Sequence, residues 1–475
     1  MNKPEDKRKG KDKRLVMKFG GTSLGDVERI GKVAEIIADF SSRAQVVGVV
    51  SAMAGVTDAL IQGAQAAERR ENEVFQRVRE ELLSRHQKVV AALEIDRTGH
   101  HELMERIETY LDEFHQLCHS ISTLEELTPR ALDTITAFGE RLMVHLLVSA
   151  LEKIGVNTEA VEATELIVTD ENYGAANPIM EETGVQVNAH LAPLLGAGRV
   201  PVVTGFIGTT PEGVTTTLGR GGSDYTATIL GNLLDASEIW IWTDVDGVMT
   251  ADPRIVPEAQ VLPELSYDEA VELSYFGAKV LYPKSIIPTV EKSIPIRIKN
   301  TFNPAGPGTV ITRETDDDRA VKAITSIRGL SLVTVEGHGM IGVPGIAAKV
   351  FSAVAREGIS VLMISQSSSE QSICFVVERE HSHRAQAALE AAFELEIGRH
   401  HIERIWTQDG IAIVAVVGSG MKGTPGIAAK TFSAIAHHGI NVISIAQGSS
   451  EYNLSFVADE RDVDDAVRYI HAEYY

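Results

Sequence analysis

Two segments join a basic side chain to a cluster of glycines in a way that could do chemistry on an anion. Lys18-Phe19-Gly20-Gly21-Thr22-Ser23 closes an apolar run and opens a helix-period segment. Glycines at such a junction let the backbone approach an oxyanion, and the helix N-terminus supplies unpaired N–H groups. A strand-end lysine adds a point charge suited to phosphate. Read alone, the same residues also describe a tight turn beside a surface lysine. Thr215–Ala227, TTTLGRGGSDYTA, says more. Gly219, Gly221 and Gly222 surround Arg220, and Ser223-Asp224 begin an apolar helix carrying Ala227, Ile229, Leu230 and Leu233. Ser or Asp at the N-cap is an ordinary helix start. It does not explain an arginine in a glycine loop, where a guanidinium can bind a carboxylate or phosphate through two parallel hydrogen bonds. We read this segment as a ligand loop.

Three weaker signals accompany them. Thr243-Asp244-Val245-Asp246-Gly247 follows a Trp-flanked run and could hold a ribose, a phosphate or Mg²⁺, or be a plain Asp-containing turn. Gly277-Ala278-Lys279 offers another lysine at a glycine turn. Phe138-Gly139-Glu140-Arg141 falls mid-helix, where glycine costs about 1 kcal/mol relative to alanine. Close approach of another helix, or of a ligand, would account for that cost. There is no GxxxxGK[ST] loop. The nearest imitation, Gly423–Thr431 (GTPGIAAKT), lacks the glycine before the lysine. HExxH, GxSxG and Cys–His patterns are missing, so hydrolase and zinc chemistry have no support, and no residue is assigned to a metal.

The elements that must position these residues alternate. Leu15–Phe19 reads as a strand, Val27–Phe40 as a helix with apolar residues at helical spacing, and Gln45–Ser51 as a second strand. Arg199–Gly205 and Glu238–Val245 are two more strands. Such alternation predicts an α/β fold, a mostly parallel sheet covered by helices on both faces, with ligands at the carboxyl ends of the strands. The glycine motifs above, other than mid-helix Phe138–Arg141, fall at such ends. From Asp58 to Glu126 the chain is polar and helical, which predicts helices appended to the sheet as a lid or dimer surface. Thr128-Pro129 restarts a helix with an N-cap and a first-turn proline. NPAGPG at Asn303 and RETDDDR at Arg313 mark a boundary and linker.

Beyond that linker the chain repeats itself. MIGVPGIAAKVFSAVAREGISVLMISQSSSE begins at Met340 and MKGTPGIAAKTFSAIAHHGINVISIAQGSSE at Met421. More than half of the aligned positions are identical. Each copy reads strand, helix opening on Gly-Ile-Ala, strand, polar turn, strand: a small α+β module present twice. Paired sites for one small ligand, or a duplicated scaffold for association, would both explain it.

Composition bounds the rest. Four hundred and seventy-five residues exceed one compact core and predict two or three domains. Sixty-six acidic against 44 basic residues leave a net charge of −22, which argues against nucleic acid or an anionic membrane as partner. With only Cys118 and Cys374 there is no disulfide framework, in keeping with a reducing cytoplasm. Residues 1–14 are charged throughout and read as a flexible tail rather than a secretory signal. No run approaches the ~18 to 20 consecutive apolar residues of a membrane span.

In order and wording, the motifs resemble the aspartate kinases of the amino-acid kinase superfamily. The matching segments are KFGGTS at Lys18, SAMAGVT at Ser51, FGER at Phe138, TGFIG at Thr204 and TTTLGRGGSDYTA at Thr215. WTDVDGV at Trp242, DPR at Asp252 and FGAKVLYP at Phe276 continue the series. QSSSE at Gln366 and QGSSE at Gln447 resemble ACT regulatory modules. The resemblance implies a catalytic domain over 15–313 with the helical insert at 58–126. Ferredoxin-like ACT modules would follow over 314–400 and 401–475, with strand exchange between them an open option. With no homoserine dehydrogenase domain following, the chain looks like the monofunctional form, and a cytoplasmic homodimer or higher homo-oligomer joined through the ACT modules is expected.

The implied reaction is MgATP-dependent phosphorylation of the L-aspartate β-carboxylate, the first step toward lysine, threonine and methionine. A side-chain carboxyl with a reference pKa of about 3.9 is ionised at pH 7, so no general base is needed. By this resemblance Lys18, Gly20, Gly21 and Asp224 are catalytic, the first three around the transferring phosphoryl group. Arg220 clamps the substrate α-carboxylate, Glu140 and Asp224 face its ammonium, and Ser51, Thr57 and Ser223 complete the pocket. Lys18, Gly21, Thr243, Asp244, Met249, Arg254 and Lys279 line the nucleotide side. Gly345, Ile346, Gln366, Gly426, Ile427, Asn441 and Gln447 bind an effector. Threonine is favoured because a neutral amide suits a hydroxyl; lysine is the runner-up. The sequence departs from the family at Met249, where a tyrosine often stands near the adenine, at Tyr282, where histidine is common, and at Asp58, where asparagine is frequent. A kinase acting on another acid, or an inactive amino-acid sensor, are the competing readings.

Overall fold

The computed structural model describes residues 13–277, 281–317 and 319–475. They fall into two contact units. The first takes the described residues of Met1–Val248, Pro263–Tyr267 and Val280–Thr315; the second takes those of Met249–Leu262, Asp268–Lys279 and Asp316–Tyr475. The flexible tail expected over 1–14 lies almost wholly outside the described residues, as does Lys279.

The chain enters the first unit through β1 (Arg14–Phe19), α1 (Val27–Ser41), β2 (Gln45–Val50), α2 (Val56–Glu68), α3 (Asn72–Ala92) and α4 (Arg97–Leu124). It continues with α5 (Pro129–Thr136), α6 (Phe138–Lys153), β3 (Thr158–Val161), α7 (Met180–Gly196) and β4 (Val200–Thr204). Next come the small pair β5 (Ile207–Thr209) and β6 (Thr215–Thr217), then α8 (Gly222–Leu233) and β7 (Glu238–Thr243). β8 (Glu264–Ser266), α10 (Pro283–Lys292), β9 (Ile296–Asn300) and β10 (Thr309–Thr312) follow, while α9 (Tyr267–Tyr275), between β8 and α10, falls in the second unit apart from Tyr267. The main sheet runs β3-β4-β2-β1-β7-β9-β10-β8 and is parallel except for β9 with β10. β1 pairs with β2 on one side and β7 on the other, which sets Lys18 beside Val49 and Ile241. The carboxyl ends of β1, β2, β4 and β7 therefore lie at one edge, as the strand–helix alternation predicts.

Local chemistry explains the helix starts. Asp26 caps α1 by accepting Arg29 N–H at 3.0 Å, and Ile30, Val33, Ala34, Ile36 and Ile37 give α1 its buried stripe. Thr128 caps α5 by accepting Ala131 N–H at 3.1 Å, with Pro129 in the first turn. FGER is not mid-helix. A turn residue, Ala137, separates α5 from α6, and Phe138 begins the second helix. The stretch 129–153 is long and apolar enough to cross a membrane by composition, but 72% of its window is buried inside the protein. The polar-helical insert is two-faced: Phe75, Val78, Leu82, Leu103, Ile107, Leu111 and Phe114 join the main hydrophobic core with Leu60. A Cβ on Gly63 would lie 2.7 Å from the Phe114 ring, so α2 and α4 touch where only glycine fits. Cys118 is part of this core, and burial pushes its thiol up to about 12.

The second unit holds β11 (Ala323–Glu336), α11 (Ile346–Arg356), β12 (Met363–Gln366), β13 (Ser372–Glu378), α12 (Ser382–Ala392) and α13 (Glu394–Gly398). β14 (Arg404–Val417), α14 (Ile427–Ala436), β15 (Ser444–Gln447), β16 (Asn453–Asp459) and α15 (Val463–Tyr474) complete it. Its antiparallel sheet runs β12-β13-β11-β14-β16-β15. The two long strands are shared. Leu330–Glu336 pairs with β13 and with the first half of β14, whereas Ala323–Ile327 pairs with Ile413–Val417, which in turn pairs with β16. The first repeat therefore takes its last strand from Arg404–Asp409, and the second takes one from Ala323–Ile327, upstream of the first. The break expected at 400/401 does not follow this sheet. Gly329 and Gly410, at φ 73° and 71°, sit where β11 and β14 pass from one module to the other, next to the register shift at Ile327/Leu330.

Two short segments from inside the expected 15–313 domain also belong to this unit. Ala251 and Val256 complete a core with Val321, Ile324, Val414 and Phe456. Ile324 N–H donates to Thr250 C=O at 2.8 Å, and the Thr250 hydroxyl meets His471 Nε2 at 2.9 Å. Glu269 on α9 accepts both the N–H and the hydroxyl of Ser419, at 2.8 and 2.7 Å. From the charge run, Asp317 and Arg319 also belong to this unit. Asp317 binds Arg319 at 2.6 Å and the fully buried Lys322 at 2.9 Å, and these cations hold its carboxyl well below the usual range.

Candidate active site

The sequence-predicted substrate residues converge in the first unit. Lys18, Ser51, Thr57, Glu140, Arg220, Ser223 and Asp224 all line one cavity of about 420 Å³. Lys18 is the penultimate residue of β1, and its Nζ lies 2.5 Å from Asp224 Oδ1 in the first turn of α8. Both side chains are 12% exposed, so the pair is largely screened from water. Gly20 follows at once, its N–H bonded to Trp242 C=O at 3.1 Å, and it caps the short turn Gly21–Leu24 with no side chain on the amides. A Cβ on Gly21 would come within 2.8 Å of Ala52 C=O, so this crossing of the β1 and β2 loops needs glycine.

Arg220 precedes α8 on a loop whose cap is Gly221, at φ 71°. Ser223 and Asp224 are therefore not the N-cap expected from sequence; the left-handed backbone at Gly221 takes that place and leaves Asp224 free to face Lys18. The Arg220 guanidinium is exposed and has no ion-pair partner among the described residues, so it is available to a ligand carboxylate.

Glu140 is the buried end of the site, 4% exposed. Its Oε1 accepts Ala52 N–H at 3.1 Å, while Oε2 has no hydrogen-bond partner among the described residues. Burial raises its carboxyl to about 8, against weaker lowering by the Ala52 N–H and by Lys18. The close approach expected at Gly139 is to protein: a Cβ there would lie 2.7 Å from Ala52 Cβ and 3.4 Å from Thr57 Oγ1.

The nucleotide-side residues fall in both contact units. Thr243 ends β7, next to Trp242, whose C=O accepts Gly20 N–H, and Asp244 follows it, accepting the Thr243 hydroxyl at 3.1 Å. Met249 and Arg254 belong to the other contact unit. There Met249 bridges Val261, and Arg254 is engaged by Asp252 at 2.6 Å. Lys279 lies outside the described residues. The effector set is in the second unit: Gly345 and Gly426 cap α11 and α14 at φ 95° and 93° without side-chain caps, Ile346 and Ile427 open those helices, and Gln366 and Gln447 end β12 and β15. Asn441 is exposed in the loop before β15.

Sequence reasoning missed Asp133, Thr136, Gly174, Phe206 and Thr217, which also line the cavity. Phe206 holds a positive φ of 71°, unusual for a bulky residue, with its N–H on the Thr226 hydroxyl at 3.0 Å. TGFIG was visible as a motif, but its strained residue was not. Thr217 stood inside the ligand loop's own segment. Asp133 carried no signal.

Residues 13–300 match the model of the amino acid kinase family, and 333–393 and 414–474 each match an ACT domain. Aspartokinase 2 of Arabidopsis thaliana is 36% identical, aligned over 98% of this chain and 85% of that protein. The bifunctional aspartokinase/homoserine dehydrogenase 1 of the same plant is 37% identical over 98% of this chain; the chain spans about half the length of that relative, 51%. The crystal structure of E. coli aspartokinase III with aspartate and ADP superimposes with a TM-score of 0.81 at 29% identity, covering 97% of this chain and 99% of that one. The same enzyme with lysine and aspartate gives a TM-score of 0.79 at 29% identity, with the same coverage of both chains. With the glycine motifs, the Lys18–Asp224 pair and the doubled C-terminal module in place, the chain belongs to the amino acid kinase family and, within it, to the aspartokinases.

Proposed function

We propose that the protein transfers the γ-phosphoryl group of ATP to the β-carboxylate of L-aspartate, giving 4-phospho-L-aspartate and ADP. The observation that carries this is the meeting of Lys18, Asp224, Arg220 and the half-satisfied Glu140 in one cavity. A β-carboxylate oxygen forms the new O–P bond as the bond from Pγ to the bridging oxygen breaks, and no proton needs to move. The protein's task is to hold two anions in line and neutralise the charge between them. Lys18 can exchange Asp224 for a phosphoryl oxygen. The amides of the Gly21–Leu24 turn add donors. Arg220 suits the α-carboxylate, and the open oxygen of Glu140, with Asp224, suits the ammonium. Mg²⁺ would arrive on the ATP phosphates, keeping much of its water, so the site needs no cage of protein ligands.

The second unit reads as the regulator. The uncapped, glycine-led starts of α11 and α14 suit an amino-acid carboxylate, and Gln366 and Gln447 suit a side-chain hydroxyl, which favours threonine. Lysine is the second reading, since the similar E. coli enzyme is solved with lysine. Exposed Ile364 and Ile445 on the edge strands β12 and β15 support association through this sheet.

Hydroxylamine trapping with MgATP and L-aspartate, with and without threonine or lysine, tests all of this. Aspartyl hydroxamate suppressed by threonine supports both readings. Suppression by lysine alone keeps the kinase and replaces the effector. Folded protein that yields no hydroxamate overturns the kinase reading in favour of an amino-acid sensor.

A further inference from the structure

Asp133 lies on α5, at the wall of the active cavity, and is only 2% exposed. Its Oδ2 accepts the main-chain N–H groups of Gly174 and Thr217, each at 2.9 Å, and its Oδ1 accepts the Thr217 hydroxyl at 2.7 Å. All three partners donate, so the site is built for the anionic carboxylate. Burial raises its pKa, and the three hydrogen bonds oppose that rise.

Thr217 also lines the cavity, at the end of β6, three residues before Arg220. A threonine hydroxyl has one proton. With that proton committed to Asp133, Thr217 Oγ1 offers only lone pairs to whatever occupies the cavity. A donor such as an ammonium is accepted there, and a carboxylate is repelled. The second Asp133 oxygen acts on the backbone. Gly174 C=O would lie 2.9 Å from a Cβ on Gly219, the residue before Arg220, so fixing Gly174 and Thr217 buttresses the arginine loop from two sides.

We propose that Asp133 is a positioning residue for aspartate: it turns the Thr217 hydroxyl into an acceptor for the substrate ammonium and holds the Arg220 loop where it meets the α-carboxylate. The inference rests on the aspartate-kinase reading above.

The test is steady-state kinetics of wild type, Thr217→Val, Thr217→Ser and Asp133→Asn, with succinate, which lacks the ammonium, as competitive probe. Thr217→Val should raise the KM for L-aspartate about tenfold, the scale of one hydrogen bond to a charged group, while the succinate inhibition constant and the KM for ATP move less than twofold. Thr217→Ser, which keeps the hydroxyl, should recover most of that loss. Asp133→Asn should raise the aspartate KM at least as much, again sparing the KM for ATP. Should Asp133→Asn fail to fold, the two Thr217 variants decide. An unchanged aspartate KM in Thr217→Val overturns the proposal, and so does an equal weakening of aspartate, succinate and ATP, which would mark a structural role only. Wild type that makes no aspartyl hydroxamate overturns the underlying reading and this one with it; active wild type beside unaffected variants overturns this one alone.

Discussion

At the start of α8, Gly221 turns the backbone left-handed and leaves the first-turn amides without a side-chain cap; at α11 and α14, Gly345 and Gly426 do the same. What differs is the company each start keeps. α8 carries Asp224 in its first turn, ion-paired to Lys18 in a largely buried site with Glu140. The first turns of α11 and α14 hold no acid, and Gln366 and Gln447 lie exposed at the ends of β12 and β15. On the proposed function, one backbone device would serve two tasks. Transferring a phosphoryl group needs fixed charges in a dry site, where they act strongly, whereas recognising an effector needs selective, reversible contacts.

The steepest way to break this comparison is Lys18→Ala. Turnover should fall by about 10² to 10³, the scale for losing one transition-state donor, with the circular dichroism spectrum retained. Near-normal kcat would remove Lys18 from the chemistry. Arg220→Ala should next lower kcat/KM for aspartate by about ten- to a hundredfold, as expected for charge-assisted hydrogen bonds. An aspartate kcat/KM equal to wild type would count against the clamp.

The buried Glu140 gives a pH signature that the regulatory modules should lack. Its carboxyl titrates at about 8 and must be ionised to meet the ammonium, so the KM for aspartate should fall by up to about tenfold between pH 7 and 9. A flat profile would show that Glu140 is not the ammonium's partner. Stability should run the opposite way. The folded value lies above the ordinary 4.5, so the contribution is complete below that pH and is lost as pH rises through about 8. Calorimetry should therefore show wild type losing Tm relative to Glu140→Gln between pH 5 and 9.

The smallest effect sharpens the contrast between the two modules. The turn before α14 is tied to α9 through Ser419 and Glu269, and Asn453 is tied to Glu272, whereas the equivalent His338 pairs with Glu403. Gln447→Ala should accordingly raise the half-inhibitory threonine concentration about fivefold, one neutral hydrogen bond, and more than Gln366→Ala does. Undiminished inhibition in both variants would move the effector elsewhere.

Much of this was legible from residue order because its causes are local. Apolar periodicity located β1, α1, β2 and β7, the threonine–proline pair located α5, and the glycines around Arg220 marked a wall of the cavity. The doubled segment declared two modules directly. FGER was misplaced within a helix because one turn residue, Ala137, leaves almost no trace in periodicity. The N-cap of α8 was misassigned because Ser223 and Asp224 have good capping chemistry, and only the φ of Gly221 shows that the cap is one step earlier.

The sequence by itself determined the chemistry on offer: a strand-end lysine, an arginine in a glycine loop, a helix-borne glutamate, and two copies of one small fold. Those properties follow from residue type and short-range spacing, on which backbone conformation and ionisation depend. Only the tertiary structure decided which groups meet. It joined Asp133 to Thr217 across 84 residues, gave Ala251 and Val256 to the regulatory core, and traded strand halves between β11 and β14. Each of these pairings satisfies a buried polar group or completes an apolar core. That demand is set by what the folded chain removes from water, and no local stretch of sequence records it.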